Sequence, residues 1–303
     1  MPSLLILSSN SDEYTQLIES AQLPDLEFTT EPEECDIVLG EPKLIRDMLP
    51  RLSNPKWVQA IYAGVERLMD PALRRDYILT NARGVFGELM SEYVFGYLLL
   101  HEKKILERRR AQRSKQWDRT ESGVLRRRTM GLLGVGSIGS HLAGTAKHFG
   151  MSVHGFTRES EACADVDVYY HEPHILEFAK RLDYLVSVLP RTTDTNRIVN
   201  ASLFDALPSH AIFINVGRGN VVDESALVTA LNEGKIAAAI LDVTENEPLP
   251  EAHPFWTTPN LLLSFHTSAI SYPENISELF VENYQRYIEG KPLKYQVDFE
   301  RGY

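Results

Sequence analysis

From Thr129 onward the sequence repeats one pattern: a short apolar run, then helical periodicity, with apolar runs at 130–135, 151–156, 185–189, 211–216, 237–242 and 261–264. Short buried strands separated by helices leave few options beyond a parallel sheet with helices on both faces. This series therefore predicts a complete doubly wound domain. A weaker series at 4–7, 36–39 and 57–61 ends in the turn Ala63-Gly64-Val65 and predicts a second sheet. Between them, a helical pattern from about 88 to 115 is apolar early (Val94, Tyr97, Leu98) and basic later. It predicts one long helix connecting two domains.

A last helix is expected after His266, with Pro273 near its start, apolar positions at Ile276, Leu279, Phe280, Tyr284 and Ile288, and Gly290 and Pro292 ending it. Its apolar stripe needs a surface, and the incomplete first sheet is the expected one. The fold class is thus α/β with two doubly wound parallel-sheet domains. A Rossmann domain (97–270) is inserted into a flavodoxin-like, discontinuous substrate domain (1–96 and 271–303), with the site in the cleft between them.

Composition sets the outer limits. At 303 residues the chain exceeds one core, and 43% hydrophobic with 24% charged residues is ordinary for a globular protein. A formal net charge of -11 opposes binding to nucleic acid or an anionic membrane. The basic stretch 103–128 is the local exception; it lacks groove-reading context and reads as a solvated helix face with inter-subunit contacts. Cys35 and Cys163 are the only cysteines and show no metal-ligand spacing, so no metal and a reduced, cytoplasmic setting are expected. The first residues lack a basic n-region, and no apolar run reaches the roughly 20 residues of a membrane span.

The first of the later strands runs into Gly134-Val135-Gly136-Ser137-Ile138-Gly139, followed by an amphipathic helix bearing Leu142, Ala146 and Phe149. In that context the glycines fit a dinucleotide turn. Gly134 permits the tight turn, Gly136 lets the backbone approach a pyrophosphate, and Gly139 allows close helix–strand packing. Free N–H groups at the helix start favour the anion. The end of the next strand selects the cofactor. Thr157, 18 residues past Gly139, is neutral where NAD would want an acid, and Arg158 can take a 2′-phosphate. NADP is therefore preferred, while Glu159, 20 residues past, leaves NAD possible.

Four further segments bear on the chemistry, and the last three end or follow strands, which brings their polar residues to the carboxyl edge of the sheet. They carry Leu189, Pro190 and Thr195; Val216 and Arg218; Asp242 and Glu247; and His266. Reduction of a 2-oxo acid needs a planar cationic fork for carboxylate and carbonyl, which Arg218 supplies. It also needs a proton donor beside the carbonyl oxygen. His266 has a suitable unperturbed pKa, and Glu247 would hold its imidazole and favour the protonated form. The turn at Gly64-Val65 offers N–H groups to the carboxylate's other side.

On these segments, from Trp57 through His266, the chain resembles the D-isomer-specific 2-hydroxyacid dehydrogenases. Within that family, Met90-Ser91-Glu92-Tyr93 and Thr157-Arg158 are most similar to the NADPH-dependent glyoxylate/hydroxypyruvate reductases. The resemblance implies that Arg218, Glu247 and His266 are catalytic, with Gly64, Val65, Arg218 and His266 on the substrate. It also implies that Asp242 meets the nicotinamide carboxamide and that Ser137-Ile138 binds phosphate. Gly134, Gly136, Gly139, Thr157, Arg158, Leu189, Pro190, Thr195 and Val216 complete the expected cofactor contacts. The implied partners are a small 2-oxo or 2-hydroxy acid and a second copy of the chain, as a homodimer formed through the nucleotide domains. Phe265 stands where the family usually carries Pro, and Thr267-Ser268 where it carries a small pair. The alternatives are NAD-linked oxidation of a D-2-hydroxy acid, such as phosphoglycerate, and a dinucleotide-sensing interaction protein. The first wants an acid at position 157, and the second long flanking tails.

Overall fold

In the computed structural model, which describes residues 1–302, the chain divides into two units: Met1–Phe86 with Ile270–Tyr303, and Gly87–Ala269. The sequence pattern places the boundaries at 96 and 271; the first falls earlier because helix Gly87–Glu102 buries Val94 and Phe95 in the second unit's core. Among the described residues all named strands pair in parallel, in one sheet of five and one of seven. The expected pair of doubly wound sheets is thus present.

In the first unit the strands are β1 (Ser3–Leu7), β2 (Glu27–Phe28), β3 (Ile37–Gly40), β4 (Trp57–Ala60) and β5 (Ile78–Thr80). Their order is β2-β1-β3-β4-β5, the flavodoxin-like arrangement. Strands β3 and β4 are buried at every residue, as parallel strands covered on both faces must be. The terminal helix Pro273–Ile288 places Pro273 in its first turn, where a missing N–H costs nothing, and the chain turns away at Gly290 with φ +65°. Ile276, Leu279, Phe280 and Tyr284 of its stripe are buried, while Ile288 is exposed: Phe280 stacks on Trp57 with ring centroids 5.0 Å apart, and the Tyr284 hydroxyl donates to Pro24 O at 2.7 Å.

In the second unit the strands are β6 (Thr129–Leu133), β7 (Ser152–Phe156), β8 (Val168–Tyr170), β9 (Tyr184–Ser187), β10 (Ile212–Asn215), β11 (Ala238–Leu241) and β12 (Leu261–Leu263). The order β12-β11-β10-β9-β6-β7-β8 starts in the middle, winds out to β8, then returns to β9 on the other side of β6. That reversal between β6 and β9 is the switch point at which such sheets bind ligands beyond their carboxyl ends.

The single long connecting helix is a correction. The chain forms Gly87–Glu102, breaks at Lys104 in the left-handed region (φ +51°), and resumes as Ile105–Arg113. The break is made by distant chain: Gly123 N–H donates to Glu102 O, and the Lys103 ammonium donates to Gly123 O at 2.9 Å. The first helix is not a bare connector either. Val94, Phe95 and Leu98 are buried with Leu142, Ala143 and Ala146 of the helix Ser137–His148. Helix Ile105–Arg113 buries no residue, as the reading of a solvated basic face expects.

Candidate active site

The turn after β6 is shaped as a phosphate cradle. Gly134 has φ +94°, and a side chain at Gly139 would overlap the Gly134 carbonyl, so helix and strand approach closely only with glycine there. At Gly136 a Cβ would meet nothing within 4 Å: the face is open. No side chain caps the helix Ser137–His148, so the N–H groups of its first turn remain available to an anion. These residues fit a dinucleotide pyrophosphate. Ser137 opens the helix, while Ile138 is partly buried against the core.

At the end of β10, Asn215 is fully buried in an otherwise apolar strand. It accepts from Gly217 N–H at 3.1 Å and donates to Arg218 O at 3.0 Å, which fixes the turn that presents Arg218. Arg218 sits in extended backbone, and its Nη1 donates to Gly217 O at 2.8 Å. At the next residue, Gly219, a Cβ would overlap the main chain of Thr244 and Glu245. The loop after β10 therefore touches the loop after β11 backbone to backbone.

The loops after β11 and β12 bring Glu247 and His266 together. His266 Nδ1–H donates to Glu247 Oε2 at 2.7 Å, and Glu247 Oε1 accepts from Thr244 N–H at 3.0 Å. With Nδ1 engaged, Nε2 is the nitrogen left for a ligand. Asp242, buried at the end of β11, accepts from Thr267 N–H at 2.8 Å, Ser268 N–H at 3.1 Å and Ser264 Oγ at 2.7 Å. The Tyr93 hydroxyl donates to Ser264 Oγ in turn at 2.5 Å. Asp242 thus holds the loop that carries His266, whose own N–H donates to Asp242 O. Phe265 and His266 lie at φ +59° and +58°, a region that costs a non-glycine residue on the order of 1 kcal/mol or more. Proline cannot take that φ, so this chain reaches its histidine by a path closed to a Pro-His sequence. Phe265 stacks on Trp256 with centroids 5.7 Å apart.

The electrostatics follow from these contacts. The hydrogen bond to Glu247 raises the His266 pKa above the ordinary imidazole value; burial opposes this, the charges of Glu247 and Asp242 add to it, and Arg218 subtracts. Burial works against the charge on Glu247, yet the bonds from His266 and Thr244 N–H, with the charges of His266 and Arg218, hold its pKa below the usual carboxylate value. Both shifts move the pair toward its carboxylate–imidazolium form, and the charge of Arg218 acts on both groups.

Beyond β7, Arg158 donates to Asp194 Oδ2 at 3.0 Å, and both side chains are mostly exposed. Thr157 is held by its neighbours: Oγ1 donates to Ser160 O at 2.8 Å, and Thr157 O accepts from His171 Nδ1 at 2.9 Å. Thr195 bonds to Pro190 O at 2.6 Å and to Thr192, closing the loop that Leu189 and Pro190 begin. Leu189 lies against Gly217, and Val216 is buried, so Val216 offers main chain only. In the first unit, Gly64 and Val65 follow β4. The Val65 side chain is in that unit's core, which again leaves main chain for any contact.

Several residues of this site carried no role in the sequence reading. Asn215 shapes the turn of Arg218, Gly219 lets two loops meet, and Tyr93 with Ser264 supports Asp242. For Asn215 there was a signal, a polar residue ending the apolar run Ile212–Asn215.

The family model for the D-isomer specific 2-hydroxyacid dehydrogenase NAD binding domain matches residues 95–268, and the chain belongs to this family. It is 31% identical over 281 residues to glyoxylate/hydroxypyruvate reductase A of Yersinia enterocolitica, covering 90% of this chain and 89% of that one. A family protein from Aeromonas salmonicida matches with a TM-score of 0.92 at 41% identity, over 98% of this chain and 99% of that one. A D-isomer specific 2-hydroxyacid dehydrogenase from Xanthobacter autotrophicus Py2, solved with NADPH and MES, matches with a TM-score of 0.90 at 31% identity, over 100% and 99% of the two chains.

Proposed function

We propose that the protein reduces a small 2-oxo acid of the glyoxylate or hydroxypyruvate kind to the D-2-hydroxy acid, with NADPH as the preferred reductant. The observation that carries this reading is the 2.7 Å His266–Glu247 pair under the charge of Arg218, on a unit whose glycine turn is open for a dinucleotide. The named Yersinia and Xanthobacter relatives support the substrate class and the cofactor.

Arg218 binds the substrate carboxylate and carbonyl through its planar fork. His266 hydrogen-bonds the carbonyl oxygen through Nε2–H and gives up that proton as the oxygen gains charge. Glu247 keeps the imidazolium formed and oriented until then. When bound, a reduced nicotinamide would supply the hydride that the α-carbon accepts. Gly134 to Gly139 with Ser137 and Ile138 would hold the pyrophosphate. Leu189, Pro190, Thr195 and Val216 would line the rest, and Asp242 would take the carboxamide while it steadies the His266 loop. The N–H groups of Gly64 and Val65 are assigned to the substrate carboxylate. The experiment is a panel of 2-oxo acids with NADPH and with NADH, followed by loss of reduced-nicotinamide absorbance; no turnover of any 2-oxo acid would overturn the reading.

Arg158, which donates to Asp194 Oδ2, is the proposed 2′-phosphate ligand. Arg158→Ala is expected to raise the KM for NADPH about tenfold with kcat little changed, because a distal contact acts in uniform binding. The KM for NADH should stay within about twofold. Equal effects on both cofactors would show that Arg158 does not read the phosphate.

We also propose a cytoplasmic homodimer formed through the second unit. The two free cysteines fit a reducing compartment, and Trp117, beside the wholly unburied helix Ile105–Arg113, is 87% exposed. Light scattering on the purified chain tests this, and a monomeric mass overturns it.

A further inference from the structure

The helix that follows β10 begins at Glu224, and its end is already capped: Asp223 accepts from Ala226 N–H at 3.0 Å and from Ser225 Oγ at 2.6 Å. The Glu224 carboxylate is therefore not used on its own helix. One oxygen accepts from Glu245 N–H at 2.9 Å, and the other lies 3.2 Å from His253 Nε2. The side chains of Glu224 and His253 are only 15% and 18% exposed, so these bonds are little shared with water. His253 Nδ1 accepts from Phe255 N–H at 3.3 Å, which leaves the ring proton on Nε2, aimed at Glu224. The imidazole meets the buried Phe255 ring edge-on, with centroids 4.6 Å apart.

Glu245 lies two residues before Glu247 and His253 six residues after it. One carboxylate thus grips the Glu247 loop on both sides, while Gly219 abuts the same loop at Thr244. We propose that Glu224, oriented by His253, is a positioning residue that fixes the Glu247 loop and so sets the contact between Glu247 and His266. This rests on the reading of that pair as the proton donor and its partner.

His266 feels Glu247, Asp242 and Arg218, and Glu247 feels His266 and Arg218. Glu245 faces Arg197 at 3.8 Å on the outer side of the loop. None of these replaces an acceptor at Glu245 N–H. When Glu224 is lost, that N–H must find water, and the loop is free to move Glu247 off Nδ1. The imidazolium then loses stabilisation, although both Glu247 and His266 are still present.

The test is a pH series of reductive kcat/KM on the full chain for wild type, Glu224→Ala, Glu224→Gln, Glu247→Gln and the double variant Glu224→Ala/Glu247→Gln. Glu224→Ala should move the alkaline break down by about half a pH unit or more and lower kcat more than it raises KM. Glu224→Gln keeps an oxygen for Glu245 N–H and should return the break most of the way to wild type. The double variant should break no lower than Glu247→Gln alone, since both changes act through one contact. A Glu224→Ala protein that loses thermal stability but keeps the break overturns the proposal, as does a Gln variant no nearer wild type than Ala. If Glu247→Gln itself leaves the break in place, the reading of Glu247 as tuning the donor fails first, and the proposal fails with it.

Discussion

His266→Ala lowers reductive kcat/KM at every pH by a factor of about 10² to 10⁴, the range for a lost general acid. Glu247→Gln behaves differently: it keeps activity at low pH and moves the alkaline break downward. The sign follows from the contact. Ionised Glu247 lifts the His266 pKa, and the reductive direction needs His266 to enter protonated, so the rate is full below that pKa and falls as pH rises through it. Removing the carboxylate's charge lowers the pKa and ends the plateau earlier, by about one unit for an interaction of about 1.4 kcal/mol. The measurement is kcat/KM against pH for wild type and both variants. An upward or absent shift in Glu247→Gln removes Glu247 from the role given to it, and a His266→Ala enzyme with near-normal rate removes His266.

Arg218→Lys keeps the charge and is expected to lower kcat/KM by about 10²-fold to 10³-fold with every 2-oxo acid, the scale of a lost donor to developing charge. Lysine is a point charge on a flexible stem and cannot hold carboxylate and carbonyl at once with a fixed fork. Its amine also lacks the geometry by which Nη1 is tied to Gly217 O. Cofactor binding should survive, because the glycine turn lies on a separate loop. Binding of NADPH by fluorescence, together with steady-state kinetics, separates the two effects. A Lys variant that retains most of its kcat/KM would show that Arg218 is not the substrate clamp.

Much of the second sheet was legible because buried parallel strands are apolar on both faces. Runs such as Ile212–Asn215 and Tyr184–Ser187 therefore stand out from the helices around them. Strands β2, β5 and β8 do not stand out, being two or three residues long with exposed positions, whereas the equally short β12 is three leucines. The break at Lys104 was invisible for another reason. No glycine or proline marks it, and the bonds that make it come from Gly123, far along the chain. At the site, Arg218, Glu247 and His266 could be picked out as candidates because each has a distinctive chemistry just past a strand. Glu224 could not: a glutamate in the first turn of a helix reads as ordinary support for the dipole, and only the fold shows it turned to Glu245.

The bare contact at Gly219 bears on how such an enzyme can be altered. Two loops meet there without an intervening side chain, so their spacing is set by the peptide chain itself and cannot be retuned by a larger or smaller residue. The segment running from Asn215 to Gly219 and the segment running from Asp242 to Glu247 thus form one inheritable block. A chimera that imports either segment alone from a relative with a different backbone path should lose the register between the proposed substrate anchor and proton donor. Importing both together should keep it and leave the surrounding side chains free to change the acid accepted.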